Sequence, residues 1–65
     1  MARAKYQVEV LTDDGACWYG YNTKKQAMEN AKAHCRENGR AWLHCGKDEI
    51  AFMMMFSGRL EVELK

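Results

Sequence analysis

The chain contains no proline, and no stretch of its 65 residues has the composition of a linker, a low-complexity tract or a repeat longer than a few residues. It also lacks an excess of charge of either sign, with ten Lys and Arg against nine Asp and Glu. That balance supplies no global attraction to nucleic acid or to an anionic membrane, although it leaves room for a local basic patch. The N-terminal Met1-Ala2-Arg3-Ala4-Lys5 has no apolar core of the kind an export signal carries. The longest apolar run is seven residues, Ile50 to Phe56, far short of a membrane span. Three cysteines, Cys17, Cys35 and Cys45, are an odd number in a chain without an export signal, and they read as reduced thiols of a cytoplasmic protein.

What is present is a single small domain over residues 1–65. Hydrophobic residues make up 48% of the chain, which argues for a folded protein rather than disorder. A chain of this size buries only about 60% of the surface its unfolded state exposes, so it needs help from disulfides, metal or association.

Tyr6, Val8 and Val10 alternate with Gln7 and Glu9, the pattern of a half-buried strand. Asp14-Gly15 signals a hairpin, and the chain returns through Ala16 to Tyr21. A two- or four-residue loop sets Cys17, Tyr19 and Tyr21 on the face of Val8 and Val10, leaving Trp18 with Leu11 on the other, and a bulged three-residue loop reverses this assignment. Thr23-Lys24-Lys25-Gln26 has the form of a capping box. A helix follows to Asn38, stopped by Gly39, with Ala27, Met28, Ala31 and Cys35 as a narrow stripe of small residues suited to lie close on a sheet.

Arg40 to Cys45 reads as a third strand and Gly46-Lys47-Asp48-Glu49 as a turn. The apolar run is a fourth strand, Ser57-Gly58 a second compact turn, and Leu60, Val62 and Leu64 alternate with Glu61 and Glu63 in a fifth. The expected fold class is therefore α+β, an antiparallel sheet of four to five strands in β-β-α-β-β-β order with one helix on one face.

The apolar run is the most informative stretch. A strand with one face in water alternates, yet Ile50, Phe52, Met54 and Phe56 point one way, and Ala51, Met53 and Met55 point the other. Pairing across Ser57-Gly58 sets Leu60 beside Met55 and Glu61 beside Met54. Simple alternation adds Leu43 and Cys45 to the Phe52 face, and Trp42 and His44 to the Met53 face. Neither face is polar. The helix covers one, and the other is expected to meet a partner, with Trp18, Trp42, Ile50, Phe52, Met54 and Phe56 as interface residues. The expectation is a non-catalytic protein-binding module that self-associates, most simply as a two-fold dimer, since Met, Trp and Tyr are favoured at adaptable interfaces.

Other chemistry is weaker. A second reading makes Lys25, Lys32, Arg36 and Arg40 a basic helix edge for nucleic acid, but Glu29 and Glu37 interrupt it. A third takes His34-Cys35 and His44-Cys45 as metal ligands. Neighbours diverge by about 100° on a helix and 180° on a strand, so core thiols are preferred and no metal or other cofactor is expected. A Cys–His catalytic pair would need an orienting group and an oxyanion hole, and no such signature is visible, so the chain is not read as an enzyme. In layout alone, a hairpin followed by Thr23-x-x-x-Ala27-x-x-x-Ala31 and another hairpin is similar to many short bacterial and phage proteins. Some of these inhibit host machinery, including RNA polymerase inhibitors and anti-CRISPR proteins. That resemblance carries no diagnostic residue and implies a small regulator or inhibitor.

Overall fold

The computed structural model describes residues 4–65; Met1, Ala2 and Arg3, read above against an export signal, lie outside the described residues. Five strands and one helix follow one another as β1 (Tyr6–Thr12), β2 (Gly15–Tyr21), α1 (Lys24–Asn38), β3 (Arg40–Cys45), β4 (Asp48–Phe56) and β5 (Arg59–Leu64). The strands form one antiparallel sheet in the order β2-β1-β3-β4-β5, and α1 packs on one face of it. This is the α+β arrangement that the alternation and the capping box predict.

Local chemistry fixes the joints. Thr12 pairs with Gly15 across the two-residue turn Asp13-Asp14. The Thr12 hydroxyl closes that turn, donating to the Gly15 carbonyl at 2.9 Å and accepting from the Asp14 amide at 3.3 Å. The Thr23 hydroxyl accepts from the Gln26 amide at 3.2 Å, so one otherwise unpaired donor of the helix start is satisfied. At the other end Gly39 adopts φ 94°, and its amide donates to the Cys35 carbonyl. Ser57 and Gly58 both take positive φ, the geometry whose twist matches a two-residue hairpin.

The helix buries Ala27, Ala31 and Cys35 against the sheet, with Met28 beside them half-buried. Opposite lie Val8, Val10, Ala41, Leu43, Ala51 and Met53, all essentially inaccessible to water. The small side chains of the helix stripe permit the close approach over Leu43 and Met53, and no polar side chain is buried among the described residues. The helix packs chiefly on β1 and β3. Beyond it Leu60 is half-buried, while Val62 and Leu64 on β5 are 40% and 70% exposed.

The register between β3 and β4 departs from simple alternation. Cys45 pairs with Asp48 and His44 with Glu49, but Leu43 then pairs with Ala51, so Ile50 is an extra residue in β4. Such a bulge reverses the facing of everything beyond it. Trp42 therefore sits opposite Phe52 and Ala41 opposite Met53, whereas unbroken alternation puts Trp42 and His44 on the Met53 face. Leu43 and Cys45 correspondingly belong to the helix side. The expected turn is also shorter: Gly46 and Lys47 alone connect the strands, and Asp48 and Glu49 are already in β4.

Candidate functional site

The sheet face away from α1 is floored by residues alternating with the buried set. One row runs straight across all five strands: Trp18 pairs with Glu9, Glu9 with Trp42, Trp42 with Phe52 and Phe52 with Glu63. A neighbouring row places Arg40 beside Met54 and Met54 beside Glu61, and Phe56 pairs with Arg59 at the hairpin. No second helix or sheet covers this face among the described residues.

Within the main row the rings are close. Trp42 and Phe52 have centroids 5.3 Å apart at a tilt of 36°, within the preferred range for aromatic pairs. Trp18 lies 5.0 Å from the His44 ring, and His44 Nε2 is hydrogen-bonded to Glu9 Oε1 at 3.2 Å. Glu9 thus occupies the gap between the two tryptophans with its carboxylate held. At one corner Ala4 crosses over Gly20, where a Cβ would come within 2.8 Å of the Ala4 Cβ. Next to Phe52 the face dips into an open depression of about 220 Å³ lined by Phe52, Met54, Glu61, Val62 and Glu63.

Of the six interface residues read from the sequence, Trp18, Trp42, Phe52, Met54 and Phe56 come together on this face. Trp18 and Phe56 are the most exposed, at 54% and 59%. Ile50 departs from the set: as the bulged residue it is half-buried and packs against the core beneath the helix. Glu9, His44, Glu61 and Glu63 are the members that hydrophobic patterning passes over. The signal for the last two was their strict alternation with leucine and valine.

The alternative basic edge does not hold together as four residues. Lys25, Lys32 and Arg36 share one side of α1, with Glu29 on the same side between them. Arg40 lies across the sheet, on the open face beside Met54. The cysteines all lie on the helix side, with Cys35 buried and Cys17 and Cys45 half-buried as free thiols, whereas His44 is on the opposite face. His34 stacks on Tyr19 at 4.4 Å. Among the described residues no group of three or more His, Cys, Asp or Glu side chains is arranged to hold a metal ion. Burial raises the Cys35 thiol above its ordinary pKa, opposed by the neighbouring Arg36, so this cysteine is a poor nucleophile. No described helix is long and apolar enough to cross a membrane.

Comparison of the chain with protein-family models, with curated proteins and with solved structures returns no match.

Proposed function

We propose that the protein is a non-catalytic protein-binding module, of the kind used as a small regulator or inhibitor, and that it docks on another protein through the open face of its sheet. The observation that carries this reading is the row Trp18–Glu9–Trp42–Phe52–Glu63 with Met54 and Phe56 beside it. Tryptophan and other large aromatic side chains gathered on one open surface among charged ones are the composition of interface hot spots. Two of its large aromatic side chains, Trp18 and Phe56, are more than half exposed, and an open face of this composition is unusual on a monomer that has no use for it.

The test is retention of a stoichiometric partner on the immobilised protein at about 1 M salt, where charge is screened beyond about 3 Å. Trp18→Ser with Phe56→Ser, both exposed, should release that partner without unfolding the protein. Lys25→Glu with Lys32→Glu and Arg36→Glu should not. Recovery of nucleic acid that salt displaces, in place of a protein, would overturn the reading. Light scattering checks the other occupant. Twice the 7.5 kDa chain mass, lost on Phe52→Glu, would assign the face to a second copy instead.

A further inference from the structure

We propose that β5 is a docking edge, taking up an extended partner segment in which lysine or arginine alternates with aliphatic residues and extending the sheet by one strand. The proposal rests on the reading of the protein as a protein-binding module and names the chemistry of what it binds.

β5 is the last strand of the sheet, so one side of its backbone has no neighbour among the described residues. Which groups face outward follows from one bond: the Lys65 amide donates to the Ile50 carbonyl at 3.0 Å. In an antiparallel ladder, N–H and C=O of one residue point to the same side and the sides alternate. Glu61 and Glu63 therefore bond toward β4, and Leu60, Val62 and Leu64 direct their backbone groups outward. These are the groups an added strand pairs with.

The side chains of β5 dictate the sequence of that strand. On the helix side Val62 and Leu64 are 40% and 70% exposed, because α1 packs chiefly on β1 and β3 and leaves them bare. On the open face Glu61 and Glu63 rim the depression floored by Phe52 and Met54. Glu61 has no ion pair among the described residues, and Glu63 has only Lys65, at 3.8 Å. A strand alternates its side chains between faces, so its neighbour on β5 is aliphatic toward Val62 and Leu64 and cationic toward the glutamates. A lysine or arginine stem also lies favourably along the apolar rim while its head meets a carboxylate.

Charge opposes a second copy fully in only one register, whereas it favours a cationic partner strand at both Glu61 and Glu63 of β5. Antiparallel self-pairing that keeps the faces matched centres on Glu61, Val62 or Glu63. The first and last set a glutamate against itself. The middle one sets Glu61 against Glu63 and Arg59 against Lys65. Like charges directly opposed are destabilising, but the first register also sets Arg59 against Glu63 twice and the last sets Glu61 against Lys65 twice. A doubled chain mass in light scattering that Val62→Lys abolishes would therefore assign the edge to a second copy and overturn the proposal.

The test uses amide hydrogen exchange by NMR on the whole protein, with blocked hexapeptides Lys-Val-Lys-Val-Lys-Val and Glu-Val-Glu-Val-Glu-Val as probes. The lysine peptide should slow exchange at Leu60, Val62 and Leu64 and bind roughly tenfold more tightly than the glutamate peptide. Glu61→Lys with Glu63→Lys, both at exposed positions, should reverse that order. Equal affinity of the two peptides would overturn the proposal, as would protection confined to β2 or no protection of the three amides by either peptide. The effect of Trp18→Ser on the retained partner, at the far edge from β5, reports separately on the protein-binding reading.

Discussion

Trp42 and Phe52 face each other across β3 and β4, with ring centroids 5.3 Å apart, because Ile50 is an extra residue in β4. Without the bulge Trp42 would point into the helix–sheet seam, which Leu43 and Met53 already fill against Ala27, Ala31 and Cys35. A double-mutant cycle of Trp42→Ala and Phe52→Ala, read by urea unfolding, should give a coupling of about 0.5–1.5 kcal/mol. Deleting Ile50 should cost far more, since it forces Trp42 inward. A deletion variant as stable as the parent would show that the bulge does not set the facing.

The same residue marks where sequence reading stopped. Both outer hairpins were legible because Asp14-Gly15 and Ser57-Gly58 mark turns, although the first turn is Asp13-Asp14 and its length was open, whereas the β4–β5 pairing followed residue by residue. The helix was legible from Thr23 to Gly39 because capping is local chemistry. The bulge was not, since nothing in an all-apolar run says which residue is skipped. Parity counted from a Gly46-Lys47-Asp48-Glu49 turn therefore inverted Trp42, His44, Leu43 and Cys45. Arg40 was misplaced for a related reason: a left-handed Gly39 ends the helix, and the next residue already belongs to the other face of the sheet. The aromatic composition of the open face was readable, but its continuity across five strands needed the register.

Gly39 and Thr23 offer a direct check on the helix ends. Gly39→Ala places a Cβ at φ 94° and should destabilise the protein by about 1–2 kcal/mol. Thr23→Ala removes the hydroxyl that accepts from the Gln26 amide and should cost about 1 kcal/mol. Thermal or urea unfolding measures both. Thr23→Ser, which keeps the acceptor, should recover most of the loss.

Core and face should separate cleanly in mutagenesis. Leu43 and Met53 are fully buried, so Leu43→Ala or Met53→Ala should lose about 2–5 kcal/mol, a large share of what so small a domain has. Phe56 is 59% exposed, and Phe56→Ser should change stability by less than about 0.5 kcal/mol. If denaturant midpoints instead fall comparably for Phe56→Ser and Leu43→Ala, the open face is part of the folding core rather than a surface kept for a partner.

Stability should decline on the alkaline side, and two groups on the helix side of the sheet say why. Burial raises the Cys35 thiol above its ordinary value of 9.0, with Arg36 opposing. Burial likewise raises the Tyr21 hydroxyl above 10.0, reinforced by the neighbouring Tyr19. Both are held protonated in the folded state to higher pH than in the unfolded one. As pH rises past 9.0 and then 10.0 the unfolded chain releases protons that the folded chain keeps, so unfolding gains free energy. The contribution is fully present below those values and is lost above them. Urea midpoints should therefore fall progressively above pH 9.0 as these two groups ionise in the unfolded chain. Cys35→Ala should remove the earlier part of that decline while Tyr21→Phe removes the later part. Iodoacetamide at pH 8 should modify Cys17 and Cys45, both half-buried, well before Cys35. Equal rates for all three thiols would show that Cys35 is not shielded beneath the helix.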